Sequence, residues 1–150
     1  MAISFRGSAS ITVPLPPREA MPYFTPEGER SWAGAGWDPQ YPDPDRRVGA
    51  GAVFTTRHGG RETFWVMTAQ TPQRVAYARV TPGALAGTVE VEVTGETAGS
   101  TTVRVTYDLT ALTPDAAGEL DHFAAGYGAE IASWATHIEH AIGALRAQKD

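Results

Sequence analysis

Four histidines and a few carboxylates and phenols are the side chains of this chain that could do chemistry. His137 and His140, with Glu139 between them, superficially resemble a metal site on a helix. Zinc ligands must converge on one point, however. At about 100° per residue, His140 points away from the apolar side of the helix predicted for this region. The chain also lacks cysteine and an HExxH motif. We therefore predict neither a metal site nor any other cofactor.

Three residues are candidates for acid-base catalysis: Asp38, Glu130 and His137. Asp38 precedes a proline in a loop, and Glu130 and His137 lie two turns apart on one flank of the same predicted helix. Tyr107 and Tyr127 add phenol groups. Each has a simpler role, because aspartate commonly bonds the backbone of turns and helix flanks are commonly solvated. A general acid or base also needs a tuned pKa, so whether the protein is an enzyme stays open.

Several functional classes are disfavoured by composition and motifs. The chain has no GxSxG or SxxK motif for a nucleophile, and its glycine clusters do not match GxGxxG. A net charge of −5 with scattered basic residues argues against nucleic-acid binding. No apolar run reaches the ~18 residues of a membrane span, and the N-terminus lacks the apolar core of a signal peptide. We expect a cytoplasmic protein without membrane insertion.

Two short helices are predicted to follow a first strand over residues 3–13. That strand alternates, with Phe5, Gly7, Ala9, Ile11 and Val13 on its apolar face. Residues 17–23 suit a short helix. Thr25 can then cap a second helix, Pro26 fits its first position, and Gly34 and Gly36 stop it.

A meander of antiparallel strands is predicted from residue 50 onward. Folding about Gly59-Gly60 sets Phe54 opposite Trp65 and brings both, with Met67, to the buried side. Further strands are predicted near residues 74–81, 86–93 and 102–112.

The inward face of the strand at 74–81 depends on its turn. A tight turn at Pro82-Gly83 would aim Ala76, Ala78 and Val80 inward. One extra loop residue would instead aim Val75, Tyr77 and Arg79 inward. The sequence leaves both arrangements open.

One long amphipathic helix is predicted from Thr113-Pro114-Asp115 to the C-terminus. Some 30 residues would extend roughly 45 Å, enough to cross a whole sheet. Its apolar stripe consists of Leu120, Phe123, Tyr127, Ile131, Trp134, Ile138, Ala141 and Leu145.

The segment TPEGERSWAGAGWDPQY, residues 25–41, sets a capped helix, a glycine stop and a tryptophan loop between the first strand and the meander. With the long last helix, this order resembles the SRPBCC or START-like superfamily, often described as polyketide cyclase/dehydrase-like. The resemblance implies one α+β domain over residues 1–150 with the helix-grip fold. In that fold a curved antiparallel sheet of six or seven strands wraps a long C-terminal helix and leaves a cavity between them.

The function expected from this resemblance is binding of a hydrophobic small molecule, such as a lipid, polyketide-like or aromatic compound. A cyclase or dehydratase acting on a carbonyl-rich substrate is one alternative. A protein-interaction module, like the chaperone activators of the superfamily, is another, and an exposed apolar patch around Val53, Phe64 and Val66 would favour it. The oligomeric state, monomer or homodimer, stays open. Although aromatic residues most often simply fill cores, the predicted ligand-binding residues are Trp37, Phe54, Trp65, Met67, Tyr107, Phe123, Tyr127, Ile131 and Trp134.

Overall fold

A six-stranded antiparallel sheet and one long helix make up most of the structure, a computed structural model that describes residues 3–149. The strands follow the spatial order β1-β6-β5-β4-β3-β2. They are β1 (Ser4–Val13), β2 (Val53–His58), β3 (Arg61–Thr71), β4 (Arg74–Thr81), β5 (Leu85–Thr97) and β6 (Ser100–Ala111). The helices are α1 (Pro17–Ala20), α2 (Pro26–Glu29) and α3 (Pro114–Lys149), with one turn of 3-10 helix, Met21–Phe24, between α1 and α2.

Strand β1 and the β2-β3 hairpin confirm the faces and register predicted from sequence. In β1 the buried residues are Ile11 and Val13, on the predicted apolar face. In the β2-β3 hairpin Phe54 lies opposite Trp65, and Gly59 and Gly60 both adopt positive φ in the turn. Glycine adopts this conformation without the clash that a Cβ would cause, so the turn fixes the register.

The orientation of β4 is settled by a three-residue loop. Thr81 pairs with Leu85, so the turn contains three residues, 82–84, rather than two. Val75 and Tyr77 are therefore buried, whereas Val80 is 41% exposed. The second arrangement left open by the sequence is the one found, and it turns Arg79 inward as well.

The segment that enters α2 is held by a cap and a close backbone approach. The amide of Gly28 donates to the Thr25 hydroxyl at 3.1 Å, as predicted for the cap. A Cβ on Gly28 would lie 1.8 Å from the carbonyl oxygen of Pro22, so only glycine lets α2 pack on the preceding turn. The α-helix itself is only four residues long, and Gly34, at φ +102°, ends the following turn.

Helix α3 packs mainly against β1 and β6. Its buried residues include Leu120, Tyr127, Ile131 and Ile138, in agreement with the predicted stripe. The prediction was wrong at the end, because Leu145 is 47% exposed and Ile142 is buried instead. Residues 143–149 are all exposed, since the helix continues past the sheet. Among residues 3–149, no helix combines the length and apolar character needed to cross a membrane.

The curvature of the sheet separates its β2 edge from the helix. Irregularities between Met67 and Ala69 in β3, and between Val93 and Gly95 in β5, interrupt the strand pairing. Such bulges bend strands and increase their twist. Because α3 follows β1 and β6, the other half of the curved sheet is covered by the 3-10 turn and the loop after α2, through the Tyr77 bond to Phe24 and the packing of Trp37 on Phe54.

The outer face of the sheet carries an exposed apolar patch formed by Val53, Phe64, Val66 and Val80, each between 39% and 44% exposed. Val53 pairs with Val66, and Phe64 with Val80, so these side chains are neighbours on one surface. The patch that would favour a protein-interaction module is thus present, while that function stays a prediction.

Candidate functional site

A cavity of about 650 Å³ lies between the β2 half of the sheet, the α2 segment and α3. All four tryptophans of the chain line it. A smaller inner recess of about 40 Å³ shares five of its residues and reaches the sheet floor at Val89 and Val91. The residues of the main cavity are Glu29, Trp32, Ala33, Gly34, Gly36, Trp37, Thr56, Arg57, His58, Thr63, Trp65, Arg79, Tyr107, Glu130, Trp134 and His137.

Trp37 both seals the core and lines the cavity. Its ring packs edge-on against Phe54 and Trp65, with centroids 6.0 and 5.7 Å away. Its indole N–H donates to the carbonyl oxygen of Pro26 at 2.9 Å. The side chain is only half-buried, whereas Phe54 beneath it is fully buried. The loop after α2 therefore holds one indole face toward the cavity.

Trp32 forms the opposite wall with Trp134. The two rings lie 5.2 Å apart, and the Trp32 N–H donates to the carbonyl oxygen of Tyr23 at 2.8 Å. Sequence reasoning assigned no role to Trp32. Its spacing of three from Glu29 was the available signal, because residues three apart share a helix face.

Glu29 carries a carboxylate into the cavity. It lines both the main cavity and the inner recess, and no ion pair within residues 3–149 includes it. Burial alone raises the pKa of this carboxyl well above its ordinary range, because a low-dielectric site disfavours the charged form. The side chain is nevertheless half-buried rather than fully buried by exposed area. Its carboxyl thus borders the cavity rather than lying within packed protein.

Arg79 lies beneath Trp65, with its guanidinium carbon 5.0 Å from the ring centroid. Its Nη2 donates to the Thr81 hydroxyl at 3.1 Å, and Thr81 in turn bonds Thr63 at 2.6 Å. The Arg79 Nε is the buried side-chain polar atom of residues 3–149 that has no hydrogen-bond partner. From the sequence, Arg79 faces inward in only one of the two arrangements left open for β4. A single loop residue decides between them.

Tyr107 lines the cavity together with Glu29 and Arg79. Burial raises the pKa of its phenol, the field of Glu29 raises it further, and Arg79 acts in the opposite direction. Two other buried phenols are used by the fold: Tyr77 donates to the carbonyl of Phe24 at 2.5 Å, and Tyr127 to that of Val105 at 2.6 Å.

A neighbouring cavity of about 370 Å³ extends along α3. It shares Tyr107, Glu130 and Trp134 with the main cavity and adds Phe123 and Ile131. Six of the nine predicted ligand-binding residues therefore line these two adjoining cavities: Trp37, Trp65, Tyr107, Phe123, Ile131 and Trp134.

The other three predicted ligand-binding residues lie in the packed core. Phe54 and Met67 are fully buried, and the Phe54 ring stacks on Trp65 at 5.6 Å. Burial raises the pKa of Tyr127 to about 12, and its phenol is already bonded. These residues support the cavity wall from behind.

The three predicted catalytic candidates separate into two groups. Glu130 and His137 are exposed side chains at the cavity mouth. Asp38 lies outside the main cavity and accepts from Arg30 at 2.8 Å. Its carboxylate thus orders the tryptophan loop through an ion pair, rather than through the turn backbone as suggested by its type. Within residues 3–149, no group of three histidine, aspartate or glutamate side chains is placed to hold a metal ion.

Comparison with known proteins gives the fold and no activity. No family model and no curated protein matches the chain. The crystal structure of norcoclaurine synthase from Thalictrum flavum, in complex with dopamine and hydroxybenzaldehyde, matches with a TM-score of 0.66 over 99% of this chain and 89% of that one, at 8% identity. This chain has the helix-grip fold. The expected helix-grip architecture is confirmed, with six strands.

Two further crystal structures match this chain over most of its length. DynU16, a protein of the dynemicin biosynthetic locus, matches at 21% identity with a TM-score of 0.60. This match covers 93% of this chain but only 48% of the DynU16 chain. An HSP90 activator from Plasmodium falciparum matches at 18% identity with a TM-score of 0.61, over 97% of both chains. At these identities the likeness describes the fold alone.

Proposed function

We propose that this protein binds a hydrophobic small molecule with an aromatic ring system in the cavity between the sheet and α3. The observation that carries the proposal is the gathering of all four tryptophans around one cavity of about 650 Å³. Ligand pockets commonly measure ~300–1,000 Å³ and are mostly apolar with a few polar groups. The cavity volume lies in this range, the four tryptophans supply apolar surface, and Glu29, Arg79 and Tyr107 are among its polar groups.

The tryptophan rings favour an aromatic ligand over a flexible lipid chain. Three of the four indole N–H groups are already bonded to protein oxygens, of Tyr23, Pro26 and Thr56. These bonds fix the rings, so little conformational freedom is lost on binding. What they offer the ligand is flat apolar surface, on which another ring packs face-on or edge-on.

The experiment is a titration with N-phenyl-1-naphthylamine, an uncharged probe whose fluorescence rises in apolar surroundings. The tryptophans are excited and the probe emission is recorded, because energy transfer requires the probe to lie near them. We expect saturable binding that a Trp134→Ala variant weakens by about ten-fold or more. The matched control is Phe64→Ala on the outer sheet face, which should leave binding unchanged. Absence of saturable binding would overturn the proposal.

An enzyme is the second candidate, favoured by the position of Glu29. A carboxyl whose pKa is raised by burial can act as general acid or base near neutral pH, and this one faces Arg79 and Tyr107 across the cavity. Cyclisation or dehydration of a carbonyl-rich substrate would use such a group. Glu29→Gln should abolish turnover of polyketide-type substrates while probe binding is retained. Activity that survives Glu29→Gln but is lost in His137→Ala would move the assignment to the cavity mouth.

A further inference from the structure

Hydrogen-bond donors outnumber acceptors at the inner end of the cavity. The Arg79 guanidinium carries five N–H donors, of which one hydrogen bond is made, from Nη2 to Thr81. Tyr107 adds a phenol that lines the same cavity. The remaining inner group, Glu29, is acceptor-only when ionised, and its neutral form adds an O–H donor while its carbonyl oxygen still accepts.

The charges of these inner groups do not cancel. Burial lowers the pKa of Arg79, but arginine starts so high that it keeps its proton at neutral pH. Burial raises the pKa of Glu29 and so favours its neutral form. The two side chains share a cavity yet form no ion pair, so neither compensates the other directly. The other charged or titratable groups around the cavity, Arg57, His58, Glu130 and His137, are exposed at its mouth.

The Arg79 guanidinium is held in place before any ligand arrives. Its central carbon lies 5.0 Å from the centroid of the Trp65 ring, and the Thr81 and Thr63 hydroxyls anchor one of its nitrogens. A fixed planar fork suits a carboxylate or another flat oxyanion, because two parallel hydrogen bonds can form at once. A fixed, half-buried arginine that makes a single hydrogen bond and lies under an aromatic ring is therefore a recognition group awaiting an acceptor.

We propose that the ligand is an aromatic acid, with its ring among the tryptophans and its oxyanion bound to Arg79 and Tyr107. This inference rests on the proposed function and adds the chemical class of the ligand. A carboxylate, phenolate or enolate oxygen on a ring system fits the donors at the inner end. An uncharged hydrocarbon of the same shape would leave the guanidinium desolvated and unpaired.

The test compares 2-naphthoate with 2-naphthamide, which has the same shape and no charge. Both compete against N-phenyl-1-naphthylamine at pH 7 on the wild-type protein. We expect 2-naphthoate to bind about ten-fold tighter or more, as for hydrogen bonds to a charged group. Equal competition by the two compounds would overturn the inference while leaving the proposed cavity function intact. Failure of both to compete would also overturn it, and failure of the probe itself to bind would refute the proposed function.

Variants locate the oxyanion. Arg79→Gln should abolish the preference for 2-naphthoate, whereas Arg104→Gln, which removes the same charge from an exposed pair with Glu92, should keep it. A preference that persists in Arg79→Gln would overturn the inference. If that variant fails to fold, NMR of the wild-type protein provides the test instead, through the Nε–H resonance of Arg79. That resonance should shift with 2-naphthoate and stay with 2-naphthamide, and the reverse pattern or no shift would contradict the assignment.

Discussion

Replacing Glu29 by glutamine should change how stability depends on pH. Burial raises the pKa of Glu29 well above the ordinary value of 4.5. Between 4.5 and that raised value, the unfolded chain has released its proton while the folded protein still holds it. Rising pH therefore favours unfolding across this window, and the free energy of unfolding of the wild type falls. Glu29→Gln has no proton to lose at this position and escapes the fall.

The size of the effect follows from one proton. A single group can change the free energy of unfolding by at most about 1.4 kcal/mol per pH unit, and by about 1.4 kcal/mol in total for each unit of pKa elevation. Urea unfolding at steps from pH 4 to pH 8, followed by circular dichroism, gives this free energy for both proteins. As the pH rises, the free energy of unfolding of the glutamine variant should increase relative to that of the wild type. This difference should level off above the folded-state pKa of Glu29.

A neighbouring residue supplies a control of opposite sign. Glu27 lies two positions away in α2, and hydrogen bonds from Arg30 and Tyr41 lower the pKa of its carboxyl. Its stabilising contribution is present above the ordinary value and is lost as pH falls through the lowered one. Glu27→Gln should therefore lose stability at neutral pH and approach wild type in acid. Parallel pH profiles for wild type and Glu29→Gln would refute the raised pKa of Glu29.

Two further predictions concern the supports of the cavity. Tyr77→Phe leaves the carbonyl oxygen of Phe24 without its buried donor, because the 2.5 Å bond is lost, and should lower the free energy of unfolding by about 1–3 kcal/mol in urea; an unchanged midpoint would contradict the bond. Gly28→Ala places a methyl group against the carbonyl oxygen of Pro22 and should lower the thermal midpoint of unfolding. Gly143→Ala, with open space around it in α3, should instead stabilise the protein by about 0.5–1 kcal/mol. Equal effects of the two substitutions would refute the close contact at Gly28.

Local patterns predicted most of the fold. The β2-β3 register followed from one glycine pair, because a tight turn and alternating side chains leave few registers available. The start of α3 followed from the Thr113-Pro114 cap, and Thr113 does accept from the amide of Ala116 at 3.3 Å. Such signals lie within a few residues of the feature that they determine.

The inner polar groups of the site could not be predicted in the same way. Arg79 faces inward because the loop after β4 has three residues rather than two, and the sequence allows both. For Glu29 the sequence predicts only a carboxylate at the start of a helix. Nothing nearby in the sequence shows that α2 packs near the half of the sheet that α3 does not cover. Trp32 likewise acquires its role only through Trp134, about a hundred residues along the chain. Loop length decided the first of these positions, and long-range packing decided the other two.

Fluorine NMR of protein labelled with 5-fluorotryptophan tests the central claim most directly. The chain has four tryptophans, and all of them line the proposed cavity. Each resonance therefore reports on one wall of the same site. We predict that titration with N-phenyl-1-naphthylamine shifts all four resonances with one shared dissociation constant. Resonances that stay in place while the probe binds would place the ligand elsewhere and contradict the account.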